Sequence, residues 1–269
     1  MSANIQPFST IFPPLMIGVI VFILIAIYAV FGYAERQKHN ESFKMPDNTR
    51  ALLLDNVPFY ENLNEEQRLE FEDRITDFLQ QVTITGIGTT VEPIDQILIA
   101  SGAIILLFPF KGWRYNNISE VLLYKDSFNE AYSMEGKDRN ILGMVGDGAM
   151  NGQMILSKAS VRSSFKKAAD GHNTVLHEFA HLLDKADGAT DGIPDYLLSR
   201  PYVLPWINIM HKTIQEMKHN RSRDINFYGT TNDAEFFAVV TEYFFERPNE
   251  LKEHHPQLYL LFEQMFTAH

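Results

Sequence analysis

The chain has 269 residues, 45% of them apolar, which is enough for a large globular domain with a substantial core. Its formal net charge is −11, and this acidic balance argues against nucleic acid as a partner. The chain contains no cysteine, so disulfides, thiolate metal sites and a cysteine nucleophile are excluded.

The N-terminal part of the chain contains a long apolar segment. Residues 1–14 form a short uncharged tail, and residues 15–34 are predicted to form a transmembrane helix. The apolar run itself is Leu15–Tyr33, and about twenty apolar residues in a helix span the core of a bilayer. We therefore expect a single membrane anchor.

Charges on either side of this run predict its orientation. No basic side chain precedes it, and the basic side chains that follow are Arg36, Lys38 and Lys44. The positive-inside rule then places the N-terminus outside and the bulk of the chain in the cytoplasm, anchored to the inner (cytoplasmic) membrane. The alternative is a cleaved signal peptide, but the run lacks a basic n-region and is longer than a usual h-region.

The folded domain is predicted to follow a polar linker. Residues 35–56 form this linker, and residues 57–269 form the domain. Asn64 and Gln67 make a capping-box pattern, which predicts a helix that continues to about Gln81. The side chains predicted to point inward from this helix are Leu69, Ile75, Phe78 and Leu79.

A second apolar run, Ile94–Phe110, is predicted to be a core helix because Pro93 opens it and Asp95 interrupts it. Short extended segments are predicted at Val82–Val91, Val121–Tyr124, Ile141–Val145 and Gln153–Ser157. The last two are joined by a glycine-rich turn, which favours a hairpin. Further helices are predicted at Val161–Ala169 and Pro201–Lys218.

The residues from His177 to His181 form an H-E-x-x-H motif in an apolar segment. Residues four apart share one face of a helix, so both imidazoles can bind the same ion. Glu178 reaches the same cavity without being a ligand. This geometry predicts a catalytic Zn²⁺ site in which His177 and His181 bind zinc and Glu178 accepts a proton from the activated water. The alternative is two core histidines that happen to lie four residues apart.

Such a site needs a third protein ligand, and Glu235 is the best candidate. It lies in the first turn of an aromatic helix capped by Asn232 or Asp233, where a buried carboxylate must be paired or metal-bound. The alternative is that Glu235 compensates the helix dipole. Glu242, two turns later on the same face, is the second choice as ligand. Otherwise it accepts a hydrogen bond from a ligand histidine, as Asp184 also could.

Tyr228 lies in a turn seven residues before Glu235. A phenol at this place could donate a hydrogen bond to the oxyanion of a tetrahedral intermediate, or approach the metal. On its own a tyrosine before a glycine is a weak signal.

Two stretches of this sequence resemble the Mlc titration factor A family of zinc peptidases. The first is Asp170–Asp184, which contains the H-E-x-x-H motif, and the second is Ala234–Glu246. Weaker matches extend the resemblance over most of Pro58–Phe262. The zinc core also resembles the catalytic domain of anthrax lethal factor, in which a tyrosine likewise stands seven residues before the ligand glutamate.

The resemblance implies an α+β, zincin-like fold that is mainly helical with a small mixed sheet. One helix carries the H-E-x-x-H motif and a second helix carries the third ligand. It implies one zinc ion held by His177, His181 and Glu235, with Glu178 as general base and Tyr228 as transition-state donor. It also implies aminopeptidase-like hydrolysis of a peptide or protein substrate. Soluble family members bind and titrate a glucose-responsive transcriptional repressor.

A rival hypothesis is a membrane-tethered binding module that sequesters a transcriptional regulator or another protein, with zinc only structural. A structural site has no need of Glu178, which argues against this reading. For the peptidase, the substrate is expected to lie extended along an edge strand, for which Gln153–Ser157 is the candidate. The sequence leaves exo- and endopeptidase activity open.

Overall fold

The structure is a computed structural model. It describes residues 19, 22–23, 45–129, 131–135, 139–146, 148–166, 171–220 and 224–267. The chain divides into two compact units, Met1–Lys44 and Met45–His269. The predicted membrane span Leu15–Tyr33 lies outside the described residues, apart from three helical positions, and stays a prediction. Within the part of the chain that is described, no helix is long and apolar enough to cross a bilayer.

The second unit is mainly helical. Its α-helices are α1 (Thr49–Asn56), α2 (Pro58–Glu61), α3 (Glu65–Gln81), α4 (Pro93–Leu107), α5 (Lys158–Ser164), α6 (Thr174–Asp184), α7 (Arg200–Asn220), α8 (Asp233–Glu246), α9 (Pro248–His254) and α10 (Pro256–Met265). Short 3₁₀ turns occur at Gly148–Met150, Lys185–Asp187 and Phe227–Thr230. The predicted helices at 94–110 and 201–218 are confirmed as α4 and α7.

One small mixed sheet accompanies the helices. Its strands are β1 (Thr83–Ile87), β2 (Glu120–Tyr124), β3 (Gly143–Val145) and β4 (Gln153–Ser157), and their order in the sheet is β1-β2-β4-β3. The pairs β1–β2 and β2–β4 are parallel, while β3 and β4 form the predicted antiparallel hairpin. The expected architecture, a largely helical domain with a small mixed sheet, is therefore confirmed.

The prediction that Gln153–Ser157 is an edge strand was wrong. This strand, β4, lies between β2 and β3, and its last four residues are buried. The short strand β3 stands at the edge instead, and its residues are only half buried. The sequence of β4 is nearly continuously apolar, as expected for an internal strand that is buried on both faces.

The predicted capping box at the start of α3 is present. The Asn64 side chain accepts a hydrogen bond from the Gln67 backbone N–H, and the Gln67 side chain accepts one from Asn64 N. One inward-facing residue was wrong, because Leu69 is 53% exposed while Phe71 is fully buried. On this helix the apolar stripe runs through Phe71, Ile75, Phe78 and Leu79.

Helix α6 lies at the centre of the domain. It packs against α4, α5, α8 and β3, and its buried side chains include Val175, Leu176 and Phe179. Helix α8 is held from its other side by an aromatic cluster in which Trp206 contacts Phe236 and Phe237. Both helices are therefore fixed by packing over their length, and their facing sides line one cleft.

Candidate metal centre

Helix α6 begins at Thr174 because Asn173 caps it. The Asn173 side chain accepts a hydrogen bond from Leu176 N at 3.0 Å, which satisfies one free N–H of the first turn. The same side chain donates to Ser164 O and to Glu246 Oε1, both at 3.0 Å. These three bonds fix the start of the helix that carries the H-E-x-x-H motif.

Two histidines of α6 and one glutamate of α8 converge in the cleft. His177 Nε2 lies 3.0 Å from Glu235 Oε2, and His181 Nε2 lies 3.4 Å from the same oxygen. The two imidazole Nε2 atoms are 3.2 Å apart. Among the described residues, this is the group of histidine and acidic side chains whose ligand atoms lie close enough together to hold one metal ion.

Glu242 contacts the other side of His177. Its Oε1 lies 2.6 Å from His177 Nδ1, and its Oε2 accepts a hydrogen bond from Asn173 N at 2.6 Å. A bond at Nδ1 leaves Nε2 of His177 turned toward His181 and Glu235. Glu242 is thus placed as the acceptor behind a ligand histidine, and Glu235 lies where the third ligand is expected.

Glu178 lies in the same cleft but outside the group of three. Its side chain is 5% exposed, and it borders β3 at Gly143. Burial raises the pKa of Glu178, while the neighbouring charges of His177 and His181 act to lower it. A carboxylate with a raised pKa beside a metal position has the property required of a general base that later acts as an acid.

The electrostatics of the centre favour a positive charge. Burial acts to lower the pKa of His177, but hydrogen bonds to Glu235 and Glu242 outweigh it and raise this pKa to about 10. Burial also acts to raise the pKa of Glu235, yet its bonds to His177 and His181 bring it down to about 2. Three carboxylates around two imidazoles therefore create a place where a cation is stabilised.

This donor set fits a catalytic metal ion. Two imidazole nitrogens and one carboxylate oxygen are the ligands of one common class of catalytic zinc sites, which keep a fourth position open. The Nδ1 atom of His177 already has an acceptor that fixes its ring. His181, Glu178 and Tyr228 line the same cavity, so the open position would face solvent and substrate.

Tyr228 lies at the mouth of the centre. Its ring centroid is 6.1 Å from that of His177, and the residue is 53% exposed. Partial burial raises the pKa of Tyr228, and the charges of Glu235 and Glu178 raise it further, so the phenol keeps its proton. Asn226 orders the turn by accepting a hydrogen bond from Tyr228 N at 3.0 Å.

Asp184 does not accept a hydrogen bond from a ligand histidine, although the sequence made it a candidate for this role. Its Oδ2 accepts a hydrogen bond from Gly192 N at 2.9 Å, and its Oδ1 is buried without a hydrogen-bond partner among the described residues. Within the same part of the chain, Nδ1 of His181 also lacks a partner. Asp184 therefore holds the loop that carries Asp191 to the rim of the cleft.

The cleft has a volume of about 1200 Å³. Strand β3 forms one wall, α6 the floor, and the start of α8 with its preceding turn the opposite wall. Sequence reasoning missed two residues of this site. Neither Asn173, whose backbone N–H donates to Glu242, nor Gly143, which borders Glu178, was predicted to belong to it. The glycine in β3 and the shortness of this strand were the available signs of an edge strand.

The site combines two histidines on one helix, a carboxylate from a second helix and a buried glutamate beside them. This combination is typical of H-E-x-x-H metallopeptidases. Residues 33–267 match the model of the Glucose-regulated metallo-peptidase M90 family, and the chain belongs to that family. The resemblance to the Mlc titration factor A family is thereby confirmed.

Individual relatives agree with this assignment. The Uncharacterized protein slr2042 of Synechocystis sp. is 33% identical over 266 residues, which cover 93% of this chain and 96% of the relative. Mlc titration factor A of Edwardsiella ictaluri is 28% identical over 170 residues, covering 58% of this chain and 62% of the relative. Mlc titration factor A of Escherichia fergusonii is 25% identical over 224 residues, covering 78% and 82%.

Proposed function

We propose that this protein is a zinc-dependent peptidase. The observation that carries the proposal is the convergence of His177, His181 and Glu235 beside the buried Glu178, in a cleft lined by an edge strand. Membership of a metallopeptidase family supports it. Zinc is the metal we propose, because a His₂Glu set on an H-E-x-x-H helix suits zinc and leaves a position open.

The proposed reaction is hydrolysis of a peptide bond. His177, His181 and Glu235 would hold the zinc ion, which would supply a water of lowered pKa and polarise the peptide carbonyl. Glu178 removes a proton from this water as the water oxygen adds to the carbonyl carbon. Glu178 then delivers the proton to the leaving nitrogen as the C–N bond breaks. The Tyr228 hydroxyl donates a hydrogen bond to the carbonyl oxygen as negative charge develops there.

We propose that the substrate main chain pairs with β3. Leu142 O accepts from Ser157 N, and Gly146 N donates to Gln153 O, so these β3-side residues face β4. Hydrogen-bonding direction alternates along an antiparallel strand, and Gly143 and Val145 therefore direct their backbone groups toward the open edge. An extended peptide added there would cross the cleft above α6.

The decisive variant is Glu178→Gln, tested in the purified full-length protein. We expect zinc to remain near one equivalent per chain, since Glu178 is not a ligand, while hydrolysis falls at least about 100-fold. The exposed Glu253→Gln is the matched control and should keep full activity. Tyr228→Phe should lower kcat on the order of 100-fold and leave zinc content unchanged. Full activity in Glu178→Gln would refute the mechanism.

We further propose an aminopeptidase-like specificity, which rests on the family resemblance. Free aminoacyl-p-nitroanilides and the same compounds acetylated at the amino group separate the possibilities. An aminopeptidase cleaves only the free forms. Cleavage of internal bonds in doubly blocked, internally quenched peptides would instead identify an endopeptidase.

A second candidate function is regulatory binding. Several relatives carry the name Mlc titration factor A, which indicates that those proteins titrate Mlc. By analogy this chain would sequester a transcriptional regulator, with zinc structural. The test is zinc-loaded wild-type protein against a broad peptide library. This second function is favoured if the protein cleaves no peptide and if it binds a transcriptional regulator only when zinc is present.

We also propose that Leu15–Tyr33 anchors the protein in the cytoplasmic membrane with the domain inside. The apolar run and the basic residues after it support this. A C-terminal tag should resist external protease on intact cells and be degraded after permeabilisation. Deletion of Leu15–Tyr33 should move the protein to the soluble fraction. A tag that is cleaved on intact cells would reverse the proposed orientation.

A further inference from the structure

The position of Glu178 depends on the absence of a side chain in the edge strand. A Cβ atom added to Gly143 would lie 2.6 Å from Glu178 Oε1 and 2.7 Å from Glu178 Cγ. Atoms in ordinary van der Waals contact lie 3.4–4 Å apart. The carboxylate of Glu178 therefore occupies the space that any other residue at position 143 would fill.

Strand β3 is held too firmly to move away from this contact. At one end Leu142 O accepts hydrogen bonds from Ser157 N at 2.8 Å and Ser160 Oγ at 3.2 Å. At the other end Gly146 O accepts from Lys185 Nζ at 2.9 Å. The hydrogen bonds at both ends restrain the backbone of the strand, whereas the Glu178 side chain can rotate about its χ torsions. A clash at position 143 is therefore relieved by moving the carboxylate.

We propose that Gly143 is a positioning residue for Glu178, which keeps the carboxylate aligned beside the metal ligands. This inference rests on the proposed peptidase function and adds a residue to it. The φ angle of Gly143 lies outside the left-handed region, so the backbone itself tolerates alanine. The requirement for glycine comes from the space taken by Glu178, and not from the conformation of the strand.

The test is Gly143→Ala in the full-length, zinc-loaded protein. We expect kcat on an aminoacyl-p-nitroanilide to fall on the order of 100-fold, since a displacement near 1 Å has that effect, with KM changed less than about threefold. Zinc stoichiometry should stay at one. A crystal structure of the variant should show the Glu178 carboxylate displaced by about 1 Å or more, with β3 unmoved.

Gly86→Ala is the matched control. Gly86 also lies in a strand of the same sheet, and a Cβ there would meet the Thr89 backbone oxygen at 2.2 Å. A backbone atom cannot rotate away, so this variant should lose several degrees of thermal stability and keep its kcat. Gly143→Ala should show the opposite pattern, with little change in Tm and a large loss of kcat.

Three outcomes overturn the proposal. The first is a Gly143→Ala protein with unchanged kcat, and the second is a crystal structure in which Glu178 has not moved. The third applies if Gly143→Ala does not fold. The double variant Gly143→Ala/Glu178→Ala must then fold, because it lacks the atoms that would clash, and failure of this double variant to fold would overturn the proposal. If the wild type hydrolyses nothing, the proposed function fails, while the crystal structure still decides whether Gly143 positions Glu178.

Discussion

At the scale of single residues, Glu242 links the two helices of the site. One carboxylate oxygen contacts Nδ1 of His177 and the other accepts the backbone N–H of Asn173, the cap of α6. Both oxygens are used and the residue is 4% exposed. Such a carboxylate fixes the orientation of the histidine ring and increases its basicity toward a metal.

This arrangement gives a prediction for Glu242→Gln. An amide can accept from His177 Nδ1 only by turning its NH₂ group toward the N–H of Asn173, which places two donors against each other. We expect zinc affinity to fall about 10- to 100-fold, measured by competition with a chelator of known affinity. Glu246→Gln is the control on the same helix, because Glu246 accepts a hydrogen bond from the Asn173 side chain and lies outside the group His177, His181 and Glu235. Equal affinities for both variants would contradict this role of Glu242.

At the scale of elements, a buried carboxylate joins α4 to α5. Asp95 is fully buried, and its two oxygens lie 2.8 Å from Arg162 Nε and 3.1 Å from Lys158 Nζ. It also accepts from Glu92 N and so closes the capping box of α4. The two basic residues of α5, Lys158 and Arg162, therefore help to hold α4.

We predict that Asp95→Ala destabilises the protein by about 3 kcal/mol, the lower end of the cost of breaking a buried pair, because Glu92 still neutralises the two cations. Urea unfolding of both proteins measures this free energy. The control is Asp77→Ala, which removes an exposed ion pair with Arg114 and should cost less than about 1 kcal/mol. Similar losses for the two variants would show that burial of Asp95 adds nothing.

At the scale of the whole molecule, every residue of the site lies in the compact unit Met45–His269. This unit has its own core, to which α3 contributes Phe71, Ile75 and Phe78. Arg74 of the same helix also donates to Leu107 O and Phe108 O at the end of α4. The site and the core that supports it therefore belong to one unit.

We predict that a fragment comprising residues 45–269 folds by itself, with a Tm within about 2 °C of the full-length chain and the same zinc affinity, since a compact unit carries its own core. Zinc in excess should raise both Tm values equally, because the ion binds only the folded state. Differential scanning calorimetry with and without a chelator provides the measurement. A fragment that begins at Val82 lacks α3 and should not fold. Loss of folding in the longer fragment would show that residues 1–44 are part of the structural unit.

The local structure could be predicted from the sequence because its causes are local. The capping box at Asn64, the core helix opened by Pro93 and the histidines four apart on α6 are set by contacts within one helical turn or by the period of the helix. The motif also indicated Glu178 as the base. A carboxylate in the first turn of a separate aromatic helix indicated Glu235 as the preferred third ligand. Leu69 was wrongly predicted to point inward because the apolar residues of α3 do not show by themselves which face of the helix α4 covers.

The tertiary structure decided what depends on pairing between distant segments. The order β1-β2-β4-β3 makes β3 the wall of the cleft, and strand order is a long-range property that the sequence of each strand does not contain. The same holds for Glu242 behind His177, which are 65 residues apart. It holds equally for Gly143 beside Glu178. The sequence by itself determined the chemistry of the site, since side-chain types and helical spacing are local, and only the fold determined which backbone and which second carboxylate hold that chemistry in place.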